Sequence, residues 1–404
     1  MGKSQYEKLG IQSDKSGVKK EFSGVNENIF PSAFVNIGND PWQKGWVHTL
    51  HLDGGGSKDA TQWLYFKETN DDSFLRFCVA DAIAMGADVT ATGFTGPLVI
   101  GDVIDINGWN VDKSIVIKNV ALGIAETVAL FRDYGMCLGN NGYRIVVLCM
   151  GGETADLVDQ LNSWSTNVAV YSRMPKADAI IGNVVPRDSI FGFSSGGQAA
   201  WETMLNSGKM SNGSTLSDAV LLHADYQAKY PFLRSEKNAF RGRFFVDDKP
   251  SGLGMTVGKA LISPTRQWAI AMKMVIDRLK EKNEFDRLHA IVMNTGGGLT
   301  KCGHVGKRIR YYKEVPPVLP IFQLIQEEAK ETWRNMLKSF NCGIGVEFIG
   351  DNNGGHLQAA LEWASQESGI DLFELGTAFE SKSANGENEV VVNYGGTEYG
   401  PDWK

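Results

Sequence analysis

Apolar and polar positions alternate through 45–52 (GWVHTLHL), the pattern of a strand with one buried face. Over 72–88 the apolar positions 74, 77, 78 and 82 recur at helical spacing, with Gly86 as a stop, and 89–94 (VTATGF) reads as the next strand. A long helix is predicted over 112–135, opened by Asp112 and closed by Gly135, followed by strands at 143–150 and 166–174. Pro186 and Asp188 mark a change of character. Beyond them the spacing predicts helices near 198–206, 264–280, 320–338 and 356–367, with strands at 288–293 and 343–349. LFELGTAFES and NEVVVNY read as the last strands. Strands and helices alternate in both halves, which predicts an α/β (α+β) layer structure in each. The expected organisation is an arm over 1–44, a first domain over 45–185 and a second over 186–404.

Composition narrows the function classes. At 404 residues, with 43% hydrophobic and 22% charged residues, the chain can bury two ordinary cores. The net charge of −7 argues against a nucleic-acid partner, whose affinity comes mostly from basic surface. It leaves room for small phosphorylated ligands, because a few lysines can reverse the field inside one cleft. The five cysteines (78, 137, 149, 302 and 342) form no CxxC pair, and Cys78 and Cys149 sit in apolar runs, so they read as buried thiols of a reducing compartment. No apolar stretch is expected to span a membrane, and MGKSQYEKLG lacks the core of a signal peptide; the expected location is cytoplasmic. The six histidines show no metal-ligand spacing.

Glycine clusters punctuate the element ends: DGGGSK (53–58), MGGETAD (150–156), SSGG (194–197), SNGST (211–215), TGGGL (295–299) and NCGIG (341–345). After a strand, such a loop can aim several backbone N–H groups into one concavity and hold phosphate; a tight turn is the commoner use. None matches a standard nucleotide fingerprint. GLGMTVGKA (252–260) has Leu253 where a P-loop needs glycine and Ala260 where it needs Ser or Thr, and no GxGxxG follows a strand. Asp53, Asp81 and Glu153 lie at element ends and would suit a hard cation such as Mg²⁺ if the fold gathers them; singly, each serves as well as a cap or a solvated acid.

Taken together and in order, the segments YEKLGIQSDKSGV, DGGGSK, VADAIAMGAD, MGGETAD, SNGSTL, LISPTR, NTGGGL and FNCGIGVEF resemble the phosphoribosylformylglycinamidine cyclo-ligases, or aminoimidazole ribonucleotide synthetases, of purine biosynthesis. The resemblance runs from about Tyr6 to Phe348. It implies two layered α/β domains, with the first sheet pairing with its mate across a homodimer. It also implies ATP-dependent cyclisation of formylglycinamidine ribonucleotide, with ATP and Mg²⁺ as cofactors. Carried onto this chain, it implies phosphate binding at Gly54, Gly55, Gly56, Ser57, Lys58, Gly151, Gly152, Thr295, Gly296, Gly297 and Gly298. Substrate contacts fall at Ser211, Asn212, Gly213, Thr265 and Arg266, metal ligation at Asp53, Asp81 and Glu153, and catalytic roles on Lys58 and Asp81. On this view Lys58 is a loop lysine reaching into the cleft. The chain departs from the family at Met210 and Met293, where histidine is usual, and at Ala80 in an Asn–Asp pair. Two other readings stay open: an ATP-dependent kinase or synthetase of the same superfamily with another acceptor, and a nucleotide-binding protein without chemistry.

Overall fold

The computed structural model describes residues 4–11, 21–22, 24–25, 27–134 and 147–403. Two sheets organise the described chain. The first has the order β1–β2–β5–β3–β4, with β1 Gly38–Asn39, β2 Trp46–Gly54, β3 Leu98–Ile106, β4 Val147–Asp156 and β5 Trp164–Pro175. Its β3 and β4 run parallel and its other neighbours antiparallel. The second has the order β12–β11–β8–β10–β6–β9–β7. Its strands are β6 Ser189–Ser194, β7 Leu288–Met293, β8 Ile309–Glu314, β9 Ile344–Gly350, β10 Leu372–Glu380, β11 Glu389–Tyr394 and β12 Thr397–Tyr399. Only β8 and β11 pair in parallel there.

Helix Phe77–Gly86 lies across β2 and β5, and helix Lys113–Tyr134 packs on it in turn. The covered face of the first sheet follows from period 2: Val47, Thr49, Val168, Val170, Ser172, Met174, Leu98, Ile100, Ile104 and Ile106 are all buried. Helix Lys113–Tyr134 contributes Val116, Val120, Val128 and Phe131 to the core. By length and hydropathy its Lys113–Asp133 stretch meets the requirement for a membrane span, which the sequence reading did not expect. In the second half, helices Trp268–Glu281 and His356–Ser368 pack on one another, and the former also meets the 87–92 segment.

Several expected elements changed. The 89–94 stretch is a 3₁₀ helix, Ala87–Thr92, because Gly86 continues into it rather than stopping the chain. The Gly151–Gly152 pair lies inside β4 and not in a turn after it; Gly151 has φ +98° where the β3–β4 register shifts. Residues 143–146 and the expected closing residue Gly135 lie outside the described residues. No helix forms near 198–206, where the chain is a loop, and the helix expected from 264 begins at Trp268. The 320–338 helix is broken at Lys330, a left-handed residue, into Pro320–Ala329 and Trp333–Ser339. Helix Lys58–Thr69, β3 and β8 went unread in the sequence. Cys78, Cys302 and Cys342 are buried thiols; Cys149, on the edge strand β4, is exposed.

Candidate active site

Strand β2 delivers Asp53 and Gly54 to the loop that opens helix Lys58–Thr69. Asp53 accepts a hydrogen bond from the Gly54 amide at 2.8 Å. Gly56 turns the chain with φ +67°, a conformation in which a side chain is disfavoured. Ser57 then precedes twelve helical residues, so the positive end of that helix faces the loop. Its hydroxyl lies 3.1 Å from that of Thr215 in the SNGST segment.

Lys58 does not reach into solvent. Its side chain is fully buried and its ammonium pairs with the equally buried Asp81 carboxylate at 2.9 Å. The same ammonium donates to the Ser263 carbonyl, and Asp81 accepts from the Thr265 amide. The loop lysine implied by the resemblance is therefore an internal tie between two helices of the first sheet and the 263–267 segment of the second half. Asp59, next in line, accepts from the Thr166 amide at 3.2 Å; burial, reinforced by the Asp81 charge, pushes its carboxyl up to about 8. Lys209 lies close enough to feel the Lys58 and Asp81 charges. It donates to Ser214 Oγ at 2.9 Å, and burial pulls its ammonium down to about 8 against the upward pull of Asp218.

The remaining polar segments interlock around this knot. The Thr265 hydroxyl lies 3.0 Å from that of Ser211. Asn212 donates its side-chain amide to the Asn294 carbonyl at 2.9 Å, just before the Thr295–Gly298 loop. Gly213, with φ +61°, starts helix Ser214–Leu221. Gly298 is fixed as glycine: φ is +50° and an added Cβ would stand 2.4 Å from the Phe340 carbonyl oxygen. The structure thus gathers 53–59, 211–215, 263–265 and 294–298 in one region. Asp88 borders it: burial raises its carboxyl to about 6, His51 and Lys301 pull it down, and Asp53 pushes it up.

Three implied assignments part from this geometry. Arg266 lines the cavity beside Thr265, but its guanidinium is taken up by protein partners. Its guanidinium donates to both carboxylate oxygens of Glu202 (2.8 and 2.9 Å) and to the Ser194 and Gly196 carbonyls (2.6 and 3.0 Å), which anchors the 194–202 loop. Gly151, Gly152 and Glu153 sit on β4, three strand spacings from β2, roughly 14 Å away. Glu153 is exposed there while Asp81 is spent on Lys58 and Thr265, so Asp53, Asp81 and Glu153 do not converge within one protomer. Among the described residues no group of three His, Cys, Asp or Glu side chains could hold a metal ion. Sequence reasoning also missed Asp59 and Lys209, which carry no local signal beyond their charge. A cavity of about 270 Å³ borders Thr265, walled by Phe77, Leu130, Trp201 and Met204.

No family model matches the chain. It is 28% identical over 303 residues to the phosphoribosylformylglycinamidine cyclo-ligase of Methanococcus maripaludis strain C5, covering 72% of this chain and 76% of that one. The cyclo-ligases of Methanococcus vannielii and Crocosphaera subtropica are each 27% identical over 86% and 84% of the chain, which covers 83% and 82% of theirs. Among solved structures, T. maritima PurL complexed with FGAR superposes with TM-score 0.53 at 14% identity, over 98% of this chain and 54% of that one. Hydrogenase maturation protein HypE in complex with ATP gives 0.51 at 14% identity, over 98% and 96%. The chain has the aminoimidazole ribonucleotide synthetase-like fold. Its two sheets are the two layered halves of that fold, and the polar knot at Lys58 lies where they meet.

Proposed function

We propose that the chain is an ATP-using enzyme that closes formylglycinamidine ribonucleotide to aminoimidazole ribonucleotide, releasing ADP and phosphate. The observation that carries this reading is the convergence of the 53–59, 211–215, 263–265 and 294–298 segments, far apart in the chain, around one buried ion pair. The cyclo-ligase resemblance supplies the substrate class. In the reaction the formyl oxygen takes the γ-phosphoryl group from ATP. The neighbouring nitrogen then attacks that carbon and phosphate leaves with the oxygen. Such transfer needs charge held and reactants aligned more than covalent help. The backbone amides of Gly56, Gly296 and Gly297 and the start of helix Lys58–Thr69 would donate to phosphate oxygens, the Gly54, Gly55 and Gly298 amides being bonded to Asp53, Thr166 and Thr295. Lys58 and Asp81 act one layer below, holding the helix start and the 263–265 segment in register. Asp53, Asp81 and Glu153 do not fit a single Mg²⁺ site in one protomer, so no step is assigned to that cation.

We also propose a homodimer through the uncovered face of the first sheet. Leu50, Leu52 and Met150 there are 61%, 65% and 75% exposed, an apolar patch that a second copy would cover. A second reading has its own observation: Lys58 and Arg266 are saturated by protein partners, as suits a nucleotide-binding protein with a different acceptor or none. Rescue of a purine auxotroph, together with ADP release dependent on formylglycinamidine ribonucleotide, tests the first. A melting temperature raised by MgATP without ring closure would establish the second; no response to MgATP would sink both.

A further inference from the structure

The second sheet carries a charged pair where its pattern calls for apolar residues. Every residue of β9, Ile344–Gly350, is buried, Glu347 included. Glu347 accepts from the fully buried Lys313 of β8 at 2.8 Å, although β10 and β6 lie between the two strands in the sheet. Stability alone does not account for this pair. Desolvating two charges offsets most of their attraction, and apolar residues of similar size often serve as well or better. Glu347 Oε2 moreover lies buried without a hydrogen-bond partner.

What the pair does hold is the glycine loop beside it. Asn294 immediately precedes Thr295–Gly298; its side-chain amide donates to Glu347 Oε1 at 2.8 Å and to the Ile344 carbonyl at 3.1 Å. Leu299 immediately follows the loop, and its carbonyl accepts from the Lys313 ammonium. One buried pair therefore grips both ends of a four-residue loop. The grip extends further, since the Asn294 carbonyl receives the Asn212 side chain of the SNGST segment.

We propose that Lys313 and Glu347 are positioning residues. They form a buried strut that sets the spacing of the 294–299 loop and, through Asn294, its alignment with the 211–213 segment. The consequence for ligand binding rests on the reading that 295–298 receive phosphate; the strut itself does not. Hydrogen exchange on the full-length, ligand-free protein tests it. Lys313→Met and Glu347→Leu each strand a buried polar partner and should lower the melting temperature, whereas the double variant should recover it. In the double variant the amides of 295–299 should exchange at least tenfold faster than in wild type while β6 and β7 keep their protection, and MgATP affinity should fall at least tenfold. Asn294→Ala, which cuts the tie and leaves the pair, should accelerate exchange at 294–296 and 211–213. Wild-type exchange at these loops in Asn294→Ala and, where it folds, in the double variant overturns the strut. If wild type itself fails to bind MgATP, the phosphate reading falls and the exchange data still decide the strut.

Discussion

The two sheets solve burial differently. In the first, β2 and β3 alternate between a covered face and one that leaves Leu50, Leu52 and Val103 exposed. In the second, β9 is buried at every position and β6 at all but its first. Their charged pairs differ in the same sense. Lys313–Glu347 lies inside the second half, whereas Lys58–Asp81 sits on the seam and takes its remaining partners, Ser263 and Thr265, from across it. The second half closes its charged pair on its own strands. The first shares its pair with the second half along the seam and leaves its other face exposed.

Breaking the seam should have the largest effect. Lys58→Ala leaves the Asp81 carboxylate buried and uncompensated, a loss of about 3–5 kcal/mol in urea denaturation. The loss follows from Lys58 being a buried tie and not a loop lysine reaching into the cleft. Lys58→Met with Asp81→Leu should recover most of it; a stable Lys58→Ala single variant would mean the seam does not depend on the pair.

The open face comes next. Wild type should scatter light as twice 44.2 kDa, and Leu50→Glu with Leu52→Glu should yield 44.2 kDa monomers with the melting transition retained. A wild-type monomer at micromolar concentration would show that solvent is what the open face meets.

A smaller effect follows from the seam's titratable groups. Between its ordinary 3.8 and about 8, Asp59 is protonated in the folded chain and ionised in the unfolded one. Folding takes up a proton there, so this group's stability contribution falls as pH rises through that window. Lys209 acts in the next window: between about 8 and its ordinary 10.5 the unfolded chain holds a proton that the folded one has released, so stability rises with pH. Asp59→Asn should flatten the falling limb of a pH–stability curve and Lys209→Met the rising one. Parallel curves for wild type and variants would place both groups in water.

The smallest effect concerns the loop itself. Gly56→Ala meets no atom within 4 Å, so only its positive φ is penalised, by about 1 kcal/mol. A larger loss would point to a contact made by the 54–57 loop in a partner copy.

Local pattern alone was enough for much of this molecule. Alternation marked β2 and β5, helical spacing marked 113–134 and 356–368, and the glycine clusters marked the loops that meet at the seam, because periodicity and backbone freedom belong to short stretches of chain. It could not say where charges would go. A lysine after three glycines reads the same whether it waves in water or, like Lys58, is folded under against Asp81. An arginine after Pro–Thr reads the same whether it meets a ligand or, like Arg266, clamps Glu202 and two carbonyls. The helix expected from 264 begins only at Trp268. Three acids that read as one metal set ended on β2, on the edge strand β4 and inside a seam, because spacing along the chain carries no information about strand order. Whether a charged side chain is solvated, paired or buried depends on partners outside its own stretch of chain, and only the tertiary structure brings them together.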